Sequence, residues 1–269
     1  MTGLRHAGGQ RSNDVDIKKR DFLVGGAMLG AGAAMTGEAM AQPATVFPAP
    51  QQVFLPVHDS AQRFPVRRIY CVGRNYLAHI REMGNDEREL PFFFAKHRDM
   101  IVQHGGTCAY PGMTKDFQYE IELVVAMKSG GMNIPLASAL DHVYGYAVGL
   151  DMTRRDQQSR MKSKQWPWEI GKSFEDSAPC GTIYPASAVG HLSKGRIQLA
   201  VNGKTQQDSD LDKMIWNVPE IIHHLSAQAE LKAGDLIFTG TPEGVGPLQK
   251  GDKMLGRIDK LGELSVTVV

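Results

Sequence analysis

The chain has 269 residues, with 30 basic and 29 acidic side chains and a formal net charge of only +1. That balance argues against a nucleic-acid-binding groove or a surface that binds anionic membranes. Its three cysteines, Cys71, Cys108 and Cys180, have no close pairing and no zinc-site spacing. This excludes a disulfide framework, and we expect the cysteines to be small apolar side chains buried in the core.

The N-terminal segment has the anatomy of an export signal. A Lys-Lys-Arg stretch at 18–20 precedes a Gly/Ala-rich apolar run over 22–35, and small residues lead to a candidate cleavage site before Gln42. The apolar run is shorter than the roughly 20 residues that span a bilayer. We therefore expect residues 1–41 to be a twin-arginine-like signal peptide, although Lys19 stands where such signals carry their first arginine. Use of the signal would make the protein periplasmic, and otherwise it is cytoplasmic. The alternatives are a disordered extension or an uncleaved anchor.

The rest of the chain reads as one domain. Residues 42–64, rich in proline, are predicted to be a linker and lead-in to a single catalytic domain over 65–269. Helices are predicted at 77–84 and from Pro219 to Glu230. Strand-like apolar runs separated by turn residues are found at 66–76, 91–102, 117–127, 141–153 and 234–269. Many short strands with few short helices predict an α+β, mostly β fold of the mixed roll or barrel type.

Two glutamates in the apolar run 117–127 need an explanation. Side chains alternate along a strand, so the carboxylates of Glu120 and Glu122 are expected on one face, about 6.5 Å apart. Like charges there repel each other unless a cation neutralises them, and Mg²⁺ prefers such oxygen ligands. Asp151, at the end of the next apolar run, is a candidate third ligand. The alternative is a solvated strand face with a turn aspartate, and spacing alone does not decide between them.

Three further features carry candidate chemistry. His79 and Glu82 share a helix face, an arrangement typical of a general base, although a surface pair has the same spacing. Lys172 is a candidate for binding a substrate carboxylate or stabilising an enolate, with a surface loop lysine as the alternative. The glycine- and threonine-containing run 238–247 allows close approach to a ligand, but a tight turn between strands explains it equally well.

Taken together, these segments resemble the fumarylacetoacetate hydrolase family, in particular its short single-domain members, the acylpyruvases and fumarylpyruvate hydrolases. The resemblance runs from about Phe64 to the C-terminus and depends on the order and spacing of several stretches. These are YCVGRNYLAHIREMG, PFFFAKHRDMIV, YEIELVVAM, DHVYGYAVGLDMTRRDQQ, PWEIGKSFEDSAP, MIWNVPEIIHHLS and GDLIFTGTPEGVGP. The resemblance implies the family's mixed β-sandwich roll, a homodimer, and a Mg²⁺ or Mn²⁺ site.

The resemblance also implies roles for individual residues. The implied metal ligands are Glu120, Glu122 and Asp151. The implied catalytic residues are His79, Glu82 and Lys172. The implied substrate-binding residues are Arg74, Tyr76, Lys96, Arg155, Gln158 and Thr241. The chain departs from the family where Gln118 and Tyr119 replace two histidines and where His97 replaces a proline.

The implied reaction is metal-dependent hydrolysis of a carbon–carbon bond in 2,4-dioxo acids, such as fumarylpyruvate, to pyruvate and a carboxylic acid. Two alternatives use the same site: decarboxylation of oxaloacetate and isomerisation of a keto-enol diacid. An exported dicarboxylate-binding protein is the alternative of another class, which an intact His79–Glu82 dyad disfavours. The expected partners are this small-molecule substrate and a second copy of the chain, with neither nucleic acid nor, for the mature protein, a membrane.

Overall fold

The computed structural model describes residues 45–76 and 89–269. The expected signal at 1–41 and the expected helix at 77–84, with His79 and Glu82, lie outside the described residues.

The chain divides into two compact units, Met1–Ala49 and Pro50–Val269. In the first unit only residues 45–49 are described, and all of them are exposed. No helix in the described ranges is long and apolar enough to cross a bilayer.

The second unit is built mainly of short strands. In chain order, the strands of the described residues are β1 (Phe54–Pro56), β2 (Arg63–Pro65), β3 (Ile69–Gly73), β4 (Phe92–Lys96), β5 (Ile101–Val102), β6 (Thr107–Cys108), β7 (Phe117–Tyr119), β8 (Ile121–Met127), β9 (Val143–Leu150), β10 (Thr153–Arg154), β11 (Ala178–Pro179), β12 (Tyr184–Pro185), β13 (Arg196–Val201), β14 (Lys204–Asp210), β15 (Leu236–Phe238), β16 (Gly246–Pro247), β17 (Lys253–Ile258) and β18 (Leu261–Val268). The α-helices of the same residues are Arg155–Ser163, Glu169–Lys172, Ala186–Val189 and Val218–Gln228, and short 3₁₀ segments cover Arg98–Met100, Leu136–His142 and Leu211–Lys213. The predicted mostly β class with few short helices is confirmed.

Two larger sheets form the body of this unit. The six-stranded sheet has the order β12-β9-β8-β15-β3-β4 and is antiparallel except where β15 pairs with β3. The five-stranded sheet has the order β14-β13-β17-β18-β6 and is antiparallel except where β18 pairs with β6. Within the described ranges neither sheet closes on itself, so the architecture is a sandwich-like roll and not a barrel.

Apolar side chains cover both faces of the six-stranded sheet. On one face, alternate residues of β8 share a core with the five-stranded sheet; members include Ile121, Leu123, Val125, Leu199, Met254 and Leu264. On the other face, a second core joins the sheet to β1 and β2; members include Val124, Ala126, Phe238, Leu55 and Phe64. Burial on both faces explains why β8 reads as a continuous apolar run, and it makes a charged residue within β8 exceptional.

The strand predicted over 117–127 is interrupted at Glu120. β7 pairs with β10 and β16 in a small three-stranded sheet, whereas β8 pairs with β9 and β15. At the break, the Ile121 amide donates to the side-chain Oε1 of Gln207 at 3.0 Å, so it keeps a partner where the chain changes sheets. The expectation of one regular strand was therefore wrong, because a tertiary hydrogen bond replaces the ladder at this point.

Candidate metal centre

Three carboxylates converge where β7, β8 and β9 meet. Glu120 lies at the junction of β7 and β8, Glu122 lies in β8, and Asp151 follows the last residue of β9. The Asp151 amide donates to the Glu120 carbonyl at 2.8 Å, which fixes these two residues opposite each other. Each of the three offers an oxygen within 4.8 Å of the others, and none is more than 5% exposed.

The electrostatics of this cluster favour a bound cation. Burial, and then the charges of Asp151 and Glu120, raise the pKa of Glu122 well above its ordinary value. The amide of Gly240 donates to Glu122 Oε2 at 2.7 Å and offsets part of that shift. Since the donors are all carboxylate oxygens, the cluster suits a hard divalent ion such as Mg²⁺ or Mn²⁺.

Lys172 is a fixed positive charge inside the cluster. Its Nζ donates to Glu120 Oε2 at 2.6 Å, to Asp151 Oδ2 at 2.8 Å and to Thr153 Oγ1 at 2.7 Å. These three acceptors match the three protons of an ammonium group. Burial lowers the pKa of Lys172, but the charges of Asp151 and Glu120 outweigh burial, so the net shift is upward. Lys172 therefore stays charged.

Lys96 pairs with one of the three carboxylates, that of Asp151. It ends β4, is buried, and places its Nζ 2.9 Å from Asp151 Oδ1. The same nitrogen donates to the Met152 carbonyl at 3.2 Å and to the carbonyl of Lys172. Lys96 does not line the cavity described below. His97, the departure from the family's proline, comes just before the 3₁₀ segment Arg98–Met100.

Arg155 and Gln158 belong to the helix Arg155–Ser163, which the sequence did not predict. Arg155 donates from Nε to Gln118 Oε1 at 2.8 Å, from one terminal nitrogen to Gln158 Oε1 at 2.6 Å, and from the other to Glu120 Oε1. Gln118, which stands in place of a family histidine, is thus a neutral acceptor that orients Arg155 toward the carboxylates.

Thr241 is positioned by a residue that sequence reasoning missed. Gln207, in β14 of the five-stranded sheet, is fully buried and donates from Nε2 to Thr241 Oγ1 and to the Pro242 carbonyl, both at 2.8 Å. Its other atom, Oε1, accepts from Ile121 at the junction of β7 and β8. The polar sequence of β14, KTQQDSD, contains no pattern that singles out one buried glutamine.

Arg74 and Tyr76 have different surroundings. Arg74 has a left-handed backbone, with φ of +59°, and its guanidinium lies 5.6 Å from the Phe92 ring centroid and 5.7 Å from that of Trp168. Seven other non-glycine residues among those described share this conformation, so the aromatic contacts, and not the backbone, distinguish Arg74. Tyr76 is fully buried and pairs with Met214 across an isolated bridge. It does not line the cavity, and burial, then the charge of Glu122, raise its pKa.

A cavity of about 30 Å³ reaches the carboxylates, enough for one or two water-sized groups. Its lining combines the three acids with cationic, amide, hydroxyl and aromatic groups: Glu120, Glu122, Asp151, Arg74, Arg155, Lys172, Gln158, Thr241, Phe94, Trp168, Val72 and Gly73. Of the predicted site residues, Tyr76 and Lys96 lie outside this lining, and His79 and Glu82 lie outside the described residues.

Comparisons with known proteins agree on one family. The model of the fumarylacetoacetate hydrolase C-terminal domain matches residues 68–269. Fumarylpyruvate hydrolase of Ralstonia sp is 47% identical over 180 residues, which are 67% of this chain and 93% of the relative. Oxaloacetate decarboxylase of Dictyostelium discoideum is 39% identical over 186 residues, or 69% of this chain and 85% of the relative.

Among solved structures, the crystal structure of fumarylpyruvate hydrolase from Pseudomonas aeruginosa in complex with Mn²⁺ and pyruvate has a TM-score of 0.82 and 56% sequence identity to this chain. The match covers 84% of this chain and 99% of that one.

Proposed function

The chain belongs to the fumarylacetoacetate hydrolase family, and from that premise we propose that it is a metal-dependent hydrolase of 2,4-dioxo acids. Its substrate is an acylpyruvate, with fumarylpyruvate the first to test, and its products are pyruvate and a carboxylic acid. One observation carries the proposal: Glu120, Glu122 and Asp151 offer buried oxygens within 4.8 Å of one another. The two relatives named as fumarylpyruvate hydrolases, one of them solved with Mn²⁺ and pyruvate, support this choice of substrate.

Several cations of the site suit an anionic substrate. A bound Mg²⁺ or Mn²⁺ supplies a Lewis acid that polarises the 2-oxo group and orients the substrate. A guanidinium has five N–H donors, and in the described residues Arg155 uses three of them on Gln118, Gln158 and Glu120. The remaining donors are available to a substrate carboxylate at the cavity that Arg155 lines. Lys172 adds a positive charge beside the position where negative charge develops.

The proposed reaction proceeds by water attack at C4. His79 and Glu82, assigned by family resemblance, take a proton from water while its oxygen bonds to C4. The C3–C4 bond then breaks, its electron pair forms the pyruvate enolate, and the C4 side leaves as a carboxylic acid. The proton held by the dyad returns to C3 and gives pyruvate.

The experiment that tests this proposal follows the enol absorbance of fumarylpyruvate with the full chain and either Mg²⁺ or Mn²⁺. We expect metal-dependent loss of absorbance with release of pyruvate, abolished in Glu122→Ala. Glu82→Gln should still bind metal, measured by calorimetry, but should lose cleavage. Full cleavage by metal-loaded Glu82→Gln would refute the assigned base. No cleavage of fumarylpyruvate with either metal would exclude it as the substrate, and no cleavage of acetylpyruvate either would refute the hydrolase function.

Oxaloacetate decarboxylation is a second candidate, favoured by the similarity to the Dictyostelium discoideum enzyme of that name. Decarboxylation passes through the same pyruvate enolate as the hydrolysis. Isomerisation of a keto-enol diacid also passes through an enolate, so the site alone does not distinguish these three reactions. A product assay with oxaloacetate separates them, because decarboxylation releases carbon dioxide and isomerisation releases no fragment. Tight binding of a dicarboxylate without turnover would instead support the binding-protein alternative.

Two further properties belong to the proposal. We propose a homodimer, as the family resemblance implies, and sedimentation at micromolar concentration tests it. Export through the signal at 1–41 is supported by the basic and apolar composition of that segment. Protein recovered from the periplasm and cut near Gln42 would support export, whereas full-length protein in the cytoplasm would contradict it.

A further inference from the structure

Lys162 extends the polar face of the helix Arg155–Ser163 beyond the metal centre. Arg155, Gln158 and Lys162 are spaced i, i+3 and i+7, which places them along one side of the helix. Arg155 and Gln158 line the cavity. Four residues further on, Lys162 lies about 6 Å along the helix axis from Gln158. The side of this helix that faces the cavity therefore carries a second cation, Lys162, in addition to Arg155.

Lys162 lies near Arg74, another cation of the cavity lining. Partial burial, and then the positive charge of Arg74, lower the pKa of Lys162. In the described part of the chain Lys162 forms no ion pair with a carboxylate. Both side chains carry a positive charge, so they favour an anionic group bound beside this side of the helix.

Aromatic rings accompany these cations. The Phe92 and Trp168 rings meet edge to face at a centroid distance of 5.0 Å, and the Arg74 guanidinium lies within 6 Å of both centroids. A Cβ at Gly73 would lie 2.0 Å from Phe92 Cζ, so the absence of a side chain at Gly73 permits the ring to lie there. Aromatic faces suit a flat, apolar ligand segment.

We infer that Lys162 and Arg74, together with Trp168 and Phe92, form the subsite for the acyl end of the substrate and select acyl groups that end in a carboxylate. The rings contact a planar unsaturated chain, and the two cations bind its terminal carboxylate. The fumaryl group has both features, whereas the acetyl group of acetylpyruvate has neither. This inference rests on the proposed function and assigns Lys162 as a specificity-determining residue of the same site.

The test compares fumarylpyruvate with acetylpyruvate in full-length, metal-loaded Lys162→Gln. We expect kcat/KM for fumarylpyruvate to fall about tenfold, because one charged hydrogen bond to the substrate is lost. The kcat/KM for acetylpyruvate should change less than about twofold. Lys162→Arg should keep most of the preference for fumarylpyruvate. Lys164→Gln, two residues further along the chain and exposed, is the matched control and should leave both values unchanged.

Two results would overturn the inference: an equal loss on both substrates in Lys162→Gln, or no loss on either. If the unaltered chain cleaves neither compound, the proposed function has failed, and calorimetric dissociation constants for the same two compounds replace kcat/KM. Selective weakening of fumarylpyruvate binding in Lys162→Gln would then still support the subsite, and equal binding by both chains would exclude it.

Discussion

Individual carboxylates in this protein show how surroundings decide what a charge does. Glu122 is held in an apolar strand, where burial and two neighbouring acids oppose its ionisation. Asp156, five residues after the last proposed ligand, has the opposite surroundings: it accepts from Thr114 Oγ1 at 2.5 Å, from the Lys115 amide at 3.0 Å and from the Gln157 amide at 2.8 Å. The first carboxylate is suited to binding a metal, and the second to stabilising the fold.

Glu122→Gln should separate metal binding from stability. Removing the charge deletes one proposed ligand, so calorimetry should detect no Mn²⁺ binding. It also removes repulsion from the cluster, while the amide oxygen can still accept from Gly240, so the unfolding midpoint in EDTA should rise by about 3 °C. Glu263→Gln, at an exposed ion pair, should change neither value. A lower midpoint in EDTA would show that the Glu122 charge stabilises the metal-free fold.

Asp156→Asn should destabilise the fold in a pH-dependent way. Burial raises the pKa of Asp156, but the hydrogen bonds from Thr114, Lys115 and Gln157 outweigh burial and lower it overall. A lowered pKa in the folded state contributes stability above the unfolded value of about 3.9, and this is lost as the pH falls through the folded value. Urea unfolding should show that Asp156→Asn lowers the free energy of unfolding by about 1–2 kcal/mol at pH 7 and by less toward pH 3. A loss that is the same at both pH values would contradict this account, and the exposed Asp141→Asn is the control.

Secondary-structure elements differ in how far the sequence reveals them. The helix Val218–Gln228 was predicted to within two residues, because Ile221, Ile222 and Leu225 give an apolar face. The structure adds a capping box between Asn217 and Glu220, which fixes where the helix begins. The helix Arg155–Ser163 was missed, because RDQQSRMKS has one apolar residue and turns a polar side toward the cavity. Helices that line a charged site lack the apolar periodicity from which helices are predicted.

The candidate site was predictable where the chemistry is local. The three acids and Lys172 stand in short stretches that match a family, and the structure brings them together. The roles of Gln118 and Gln207 were not predictable, because each depends on a partner on another strand or helix that only the folded chain supplies. Lys162 was missed for the same reason as its helix.

Gly171→Ala should disturb the contact between two helices of the site. A Cβ at Gly171 would lie 2.7 Å from the Gln158 amide nitrogen, too close for the backbone of Arg155–Ser163 to remain in place. We expect the free energy of unfolding to fall by about 1–3 kcal/mol. We also expect weaker Mn²⁺ binding, because Lys172 follows Gly171 directly. Gly112→Ala is the matched control, since a Cβ there meets nothing within 4 Å. Unfolding and calorimetry of both variants check this, and equal behaviour of the two would refute the packing argument.

At the scale of the whole molecule, residues before 65 contribute to the core. Leu55, Val57 and Phe64 are at most 6% exposed and pack on the face of the six-stranded sheet that lies away from the five-stranded sheet. These residues fall inside the range 42–64 that the sequence suggests is a linker and lead-in. The division of the chain at residue 65 stays a prediction.

Truncation tests this contribution directly. A fragment of residues 50–269 should fold, because it is a compact unit by its internal contacts. The free energy of unfolding of a fragment of residues 66–269 should be roughly 4–8 kcal/mol lower than that of the fragment 50–269. The shorter fragment lacks three apolar side chains that cover the sheet, and the surface beneath them becomes exposed. Thermal unfolding of both fragments measures the difference. Equal midpoints would show that β1 and β2 add nothing to stability.

The side chain of Gln207 also has a consequence for the way the molecule opens. One buried amide joins β14 to the amide of Ile121 and to the Thr241 segment, so local unfolding of the metal-bearing junction has to break a contact with the other sheet. Such junctions exchange their amide hydrogens only when a larger cooperative unit opens. In deuterium oxide the Ile121 amide should therefore exchange as slowly as the ladder amides of β13. The substitution Gln207→Leu should speed the exchange of the Ile121 amide and leave the exchange of the β13 amides unchanged. Fast exchange at Ile121 in the unaltered chain would mean that the site fluctuates independently of the sheet beside it.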